Sequence, residues 1–562
     1  MRFLGKLVHP IQAMAILLCC IAVGHAQPYL AYRGIYNSAS YMAAGLPGGA
    51  IARGSVFSLF GNNIGPATTP QLSFPLQTTL ASVSISVSQG STTVNALPIA
   101  FAAGQINAIM PSNAPLGAVS IRVTYNSSRS NPIPAQVVNS NFGIFTANSA
   151  GDGPGVLQNF VSAAVQPINS LQTPATPGQV IVLWGTGMGA VAYADNVAPS
   201  AGNLPVQTEV FIGGVKANVQ YNGRTPCCAG IDQIVFTVPA QPPLGCWVPV
   251  YVRTGGTAVS NVVTMAITSD GSPCQEPNNA LASALIKGGK IGNYAAARIA
   301  VHHSVAVTQT LDATADLLGT FQAQEKQGPF NFNPLFSLPP PGTCTSYSMI
   351  GDRSSDPNVS IAGMTPPSGP SLDAGLVSLS GTAGSKSTQA GTDPGTGGAY
   401  LAGSVAQLPL TNTAFLNPGA FLLALAGGSD IGAGSANFTV TQPLTWTNRD
   451  QIAPIVRSSG FMATWTGADP AASVFIAGAG VDVPTNSTSV FLCIAAPGAN
   501  SFTVPADVLA NVPPTRLRLI QSKGVVYIGQ WNLKTPAKIA AAGLDFSAVV
   551  PMFVTGTTVT FQ

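Results

Sequence analysis

"QVIVLWGTGMGAVA", residues 179–192, is an apolar run closed by glycines, and its reading decides the fold. Gly185, Gly187 and Ala190 satisfy G-x-G-x-x-[G/A], the turn that follows a buried strand and cradles a dinucleotide pyrophosphate. That reading requires a helix straight after the turn, because the phosphates rest on a helix N-terminus. The next stretch, "VAYADNVAPSAGNLP" (191–205), is broken by Pro199, Gly202 and Pro205. No crossover helix fits there, so the glycines predict a tight β-turn and no cofactor.

A second copy of the same stretch supports the β reading. "ARGSVFSLFGNNIGP" (52–66) aligns with "TPGQVIVLWGTGMGA" (176–190), matching Gly54 to Gly178, Gly61 to Gly185 and Gly65 to Gly189. "FPLQT" (74–78) aligns with "LPVQT" (204–208), and "GQINAIMPSNAPLGAVSIRV" (104–123) with "DQIVFTVPAQPPLGCWVPVYV" (232–252). In the first copy Asn63 replaces Gly187, so the dinucleotide pattern is lost while the turn is kept. Ordered landmarks with a drifting offset indicate duplicated domains. Each copy holds short alternating runs bounded by Gly, Pro, Asn or Ser, and Gly213-Gly214 reads as a hairpin turn. This is the pattern of an immunoglobulin-like sandwich. The fold class expected is all-β: tandem immunoglobulin-like β-sandwiches at 27–150 and 151–273, followed by a further β-rich C-terminal region. That region reads as a loop-rich part, 274–403, and a C-terminal β-sandwich, 404–562.

Composition bounds the setting. Only 7% of the 562 residues are charged and the net charge is +3, which argues against a nucleic-acid partner. Residues 1–26 carry Arg2 and Lys6, then the apolar run "AMAILLCCIAVG", then "GHA", the layout of a cleavable secretory signal. The run is too short to span a bilayer, so no transmembrane segment is expected after cleavage. Six cysteines remain beyond it: Cys227, Cys228, Cys246, Cys274, Cys344 and Cys493. An even number in an exported chain reads as three disulfides. A bridge from Cys227 or Cys228 to Cys246 would close a loop of about 20 residues, but pairing among the first four stays open. Cys344 and Cys493 read as a long-range bridge. C-C-x₁₇-C lacks zinc-site spacing, so no metal is expected.

Residues 35–267, through "NSASY", "GSVFSLFGNNIGP", "GQINAIMP", "GVLQ", "VIVLWGTGMGAV", "VFIGGVKANVQYNG", "DQIVFTVP" and "VSNVVTMAI", resemble the Solibacter-type uncharacterised extracellular domain of secreted acidobacterial proteins. The two halves are also similar to IPT/TIG Ig-like modules. The resemblance implies an extracellular, β-sandwich protein and carries over no catalytic residue.

Catalytic groups are sparse. His302 and His303 are the only histidines outside the signal, and alternation along a strand sends them to opposite faces. No G-x-S-x-G occurs, and no acidic residue precedes Asp152. Asp312 and Asp316 lie i, i+4 on a helix expected within "LDATADLLGTFQAQEK" (311–326), where they read as a solvated face. "GDRSSDPN" lacks calcium-loop spacing. Trp446 and Trp465, in "TWT" repeats, read as core. The candidate ligand face is "RLRLIQSKGVVYIGQWNLK": Arg516 and Arg518 share one strand face, as do Tyr527 and Trp531. These observations point to an exported, non-enzymatic cell-surface or matrix protein with a binding, adhesive or structural role. The alternative is a polysaccharide-binding or polysaccharide-active protein whose active part lies in 275–562. The partner expected is extracellular polysaccharide or another surface protein.

Overall fold

Val180–Thr186 and its counterpart Val56–Asn62 are central strands, almost wholly buried, as their mostly apolar residues favour. In a computed structural model the described residues are 27–302, 317–324, 328–350 without 331 and 335, 370–389, 400–402, 415–515 without 483, 485 and 486, and 524–562. They form an all-β protein with two short α-helices, Ala280–Lys287 and Ala506–Leu509.

In the first module Val56–Asn62 lies between Tyr29–Asn37 and Gln105–Ile109, all antiparallel. The facing layer pairs Val83–Gln89 with Gly117–Tyr125, and Gly117–Tyr125 with Ile133–Val138. Val83, Ile85 and Val87 point inward while Ser84, Ser86 and Ser88 alternate outward, and Val119, Ile121 and Val123 meet them in the core. The strand Thr92–Ala102 serves both layers: its first half pairs with Val83–Gln89 and its second with Gln105–Ile109. The register slips between Pro98 and Ala100, where a residue without an N–H cannot complete the ladder and the strand turns the corner.

The second module repeats this plan. Val180–Thr186 pairs with Asp232–Thr237, which pairs with Asn218–Arg224. Thr208–Ile212, Gly245–Thr254 and Val263–Ile267 form the facing layer. In both modules the last strand returns parallel to a short early one, Ile133–Val138 on Ile51–Ala52 and Val263–Ile267 on Gly153–Pro154. Gly213 and Gly214, with φ of +55° and +84°, make the two-residue hairpin turn between Thr208–Ile212 and Val215–Lys216.

Beyond residue 274 the chain does not divide at 403 as expected. An eight-stranded sheet runs Cys344–Ile350, Ser487–Ile494, Ser473–Asp482, Gly524–Trp531, Phe546–Val559, Gly289–His302, Leu317–Gln324, Tyr400–Ala402. It joins residues from both sides of that boundary, as does the five-stranded sheet in which Val377–Gly381 pairs with Gly419–Leu425. The long strand Phe546–Val559 gives Val549 and Phe553 to a core under the five-stranded sheet. It gives Val559 to a second core under the three-stranded sheet of Thr445–Trp446, Phe461–Thr466 and Ser501–Val504. Trp446 and Trp465 are buried in that second core.

One local reading is corrected. Leu317–Gln324, expected in a helix, is a strand paired antiparallel with Gly289–His302, so ladder bonds override its helical propensity. The α-helix present instead is Ala280–Lys287, capped by the Asn279 side chain, which accepts from Ala282 N, and stopped at Gly288 with φ +77°.

Candidate functional site

The glycine turn at 185–190 is a joint between the two modules. No helix follows it; the chain runs as turns and loop to Gly202. The amides of Gly187 and Met188, the donors a phosphate would need, both donate to Asp232 Oδ2 at 2.7 and 2.8 Å. The protein's own carboxylate therefore fills the anion position. Asp232 is fully buried and ion-paired with buried Arg224, whose Nη2 also donates to the carbonyls of Gly189 and of Gly54 in the first module. Burial pushes the Asp232 carboxyl up, while the guanidinium and the two amides pull it down. Thr186 Oγ1 accepts from Val56 N at 2.8 Å and donates to Gly230 O at 2.6 Å. Asn141 N, on the linker, donates to Gly187 O at 2.9 Å. Gly187 needs its φ of +111°, and a Cβ there would strike the Asn141 carbonyl.

A second joint ties the second module to the C-terminal region. Arg253 Nη1 pairs with Asp507 Oδ1 at 3.0 Å, and Tyr251 Oη donates to Asp507 Oδ2 at 2.9 Å. Arg253 also pairs with Glu209 and lies 4.8 Å from the Phe211 ring centroid, while Asn511 Nδ2 donates to Ser260 O. Arg253 and Lys216 together hold the Glu209 carboxyl below its usual range.

All six cysteines are paired. Cys344 and Cys493 face each other in register on neighbouring strands. Cys246 bonds Cys274, and Cys227 bonds its neighbour Cys228. The pairing left open among the first four cysteines is thus Cys227–Cys228 and Cys246–Cys274, with no bridge from Cys227 or Cys228 to Cys246. Cys246 lies buried at the start of Gly245–Thr254, under the loop that carries Cys274, whereas Cys227 and Cys228 are exposed on the loop beside the first module. Glu276 Oε1 accepts from Cys246 N at 2.8 Å, and burial pushes its carboxyl up. Glu276, Cys246 and Cys274 cluster closely, but disulfide sulfurs are not the thiolates a metal needs.

Of the candidate ligand face, Tyr527 and Trp531 do share one side of Gly524–Trp531, partly buried with Phe475, Leu492, Met552 and Val554. Trp531 stacks on Phe475 with ring centroids 4.2 Å apart. Phe475 lies over Gly529 and Tyr527 over Gly556, where a Cβ would collide with each ring. Glycines opposite aromatics let the rings lie flat on the sheet. Arg516 and Arg518 lie outside the described residues, as do His303, Asp312, Asp316 and "GDRSSDPN"; His302 ends a strand whose last side chains are not described.

One narrow cleft lies where both modules meet the C-terminal region, lined by Ser40, Tyr41, Asp152, Asn261, Tyr347 and Asn511 among others. It has room for a water molecule, not a sugar ring. Burial raises the Asp152 carboxyl to about 7, and it also raises the Tyr347 phenol. Sequence reasoning missed Arg224, Asp232, Asp152 and Arg253. The one available signal for the first pair was Asp232, aligned with Gly104 of the other copy: a charge placed where the duplicate has none.

No family model matches the chain, and no curated protein matches it. Among solved structures, it is similar to the plexin A4 extracellular region at 13% identity, covering 41% of this chain and 17% of that one, with a TM-score of 0.16. SGBP-B of the Bacteroides ovatus mixed-linkage glucan utilization locus, solved with a mixed-linkage heptasaccharide, matches at 12% identity over 39% of this chain and 44% of its own, with a TM-score of 0.19. The chain thus spans less than half of either protein. A tetra-tandem repeat from the extending region of a large adhesion protein matches at 11% identity over 92% of this chain and 97% of its own, with a TM-score of 0.12. TM-scores this low establish no common arrangement.

Proposed function

We propose that the protein is exported and acts outside the cell as a non-enzymatic surface or matrix component with a binding, adhesive or structural role. The observation that carries this reading is the pair of joints. Arg224, held by buried Asp232, donates to Gly54 O of the first module, and Arg253–Asp507 joins the second module to the C-terminal region. Fixed joints suit a chain that spans or presents, since domains in one chain otherwise move relative to each other. Three disulfides fit an oxidising compartment. We assign residues 35–267 to the Solibacter-type extracellular domain on the motifs quoted above. The runner-up, a polysaccharide-binding or polysaccharide-active protein with its active part in 275–562, is favoured by the half-buried Tyr527 and Trp531 face. A screen of the purified full chain against cell-wall polymers, with release of reducing ends measured in parallel, tests both. Binding without hydrolysis that survives Trp531→Ala supports the first reading, and binding lost in that variant supports the runner-up. Hydrolysis overturns the first reading.

A further inference from the structure

The exposed aromatic side chains of the described residues belong to the first two modules, not to the C-terminal face: Tyr29 at 46%, Tyr32 at 66%, Phe74 at 44% and Phe160 at 40%. Tyr29 and Tyr32 lie on Tyr29–Asn37, the edge strand of the first module. Its pairing with Val56–Asn62 slips between Leu30 and Ile35, and within that bulge Arg33 takes φ +59°. Its guanidinium then sits 4.5 Å from the Tyr32 ring centroid. The start of the strand is tied to the short strand Ser128–Arg129 and the residues just after it. Gln27 Nε2 donates to Arg129 O at 2.9 Å, and Leu30 and Asn131 exchange hydrogen bonds of 2.8 and 3.0 Å. Arg122 Nη1 donates to Ser130 O, just after that short strand, at 3.1 Å. The start of this edge strand, with Tyr29, thus lies beside the segment that carries Arg129 and that Arg122 holds, and Tyr32 and Arg33 follow along the same strand.

Residues 27–151 contain four arginines, at 33, 53, 122 and 129, and no Lys, Asp or Glu. The module is uniformly positive and supplies no carboxylate of its own to these guanidinium groups. Exposed Tyr rings offer flat surfaces to the C–H faces of pyranose rings. Planar guanidinium groups pair with carboxylates through two parallel hydrogen bonds. We propose that this patch binds an acidic, uronate-bearing polysaccharide, with Tyr29 and Tyr32 stacking on sugar rings and Arg33, Arg122 and Arg129 pairing with their carboxylates. The proposal rests on the extracellular reading above and names the partner class and the surface.

The test is binding of the purified full chain to polygalacturonate and to dextran, in low and high salt, for wild type, Tyr32→Ala, Arg129→Gln and Trp531→Ala. The expected result is polygalacturonate binding that weakens at least about tenfold when salt rises tenfold. Tyr32→Ala and Arg129→Gln should each weaken it several-fold with an unchanged thermal transition, and Trp531→Ala should not. Salt-independent binding of dextran that is lost in Trp531→Ala overturns this inference while leaving the extracellular reading standing. Absence of polygalacturonate binding, or tighter binding to duplex DNA or anionic vesicles, overturns it as well.

Discussion

Gly187 shows how a dinucleotide-type glycine pattern can serve a β-turn. The second glycine of G-x-G-x-x-A serves a left-handed φ and a close approach to Asn141, and its amide is taken by Asp232. Gly187→Ala should therefore lower stability by more than about 1 kcal/mol, with no NAD or FAD binding before or after; thermal unfolding and a nucleotide titration check both. Arg224→Ala should cost more, about 3–5 kcal/mol, because buried Asp232 loses its ion-pair partner and the Gly54 and Gly189 carbonyls lose their donor. An Arg224→Ala chain as stable as wild type would remove the ion pair from the account. The turn was legible in the sequence because Pro199 and Gly202 forbid the following helix. Its role as a joint was not, since Arg224 meets Gly54 only after 170 residues of chain have folded back.

At the scale of elements, alternation revealed the sheets wherever one face is wet. Ser84, Ser86 and Ser88 mark Val83–Gln89, and Gly213-Gly214 marks the hairpin of Thr208–Ile212 with Val215–Lys216. Leu317–Gln324 misled because its local sequence favours a helix and only its distant partner Gly289–His302 makes it a strand. The boundary expected at 403 failed for the same reason: Phe546–Val559 pairs in parallel with a strand about 250 residues earlier, and composition carries no trace of that. The disulfides should differ in weight. Cys344–Cys493 spans a sequence separation of 149, so replacing both by Ser should cost about 4–5 kcal/mol in the chain-entropy account. Cys227–Cys228 closes almost no loop, and its double Ser variant should lose roughly 1 kcal/mol. Equal losses in denaturant unfolding would contradict this ordering. Trp531 is half-buried and stacked on Phe475, between a closed core residue and a fully exposed ring. Trp531→Ala should leave a folded chain less stable by about 1–3 kcal/mol, below the cost of emptying a closed core.

At the scale of the whole molecule, Asp152 couples pH to the place where both modules meet the C-terminal region. Its carboxyl titrates near 7 in the folded protein and at about 4 when unfolded. Between those values the folded state holds a proton that the unfolded chain releases. Stability from this group is therefore greatest at low pH and is lost as pH rises through about 4 to 7. Asp152→Asn should flatten that slope in thermal melts taken across the window; an unchanged slope would assign it to other groups. Function is reached last, since no single constellation of side chains announces it. The exported, disulfide-bonded character is the premise on which every binding proposal depends. Intact mass of the protein recovered from its native cells, by compartment and after alkylation without reduction, tests that premise most directly. The account predicts recovery from the surface or medium, a mature chain beginning at Gln27, and no alkylated cysteine. Recovery from the cytoplasm as the uncleaved chain with reactive thiols would contradict it.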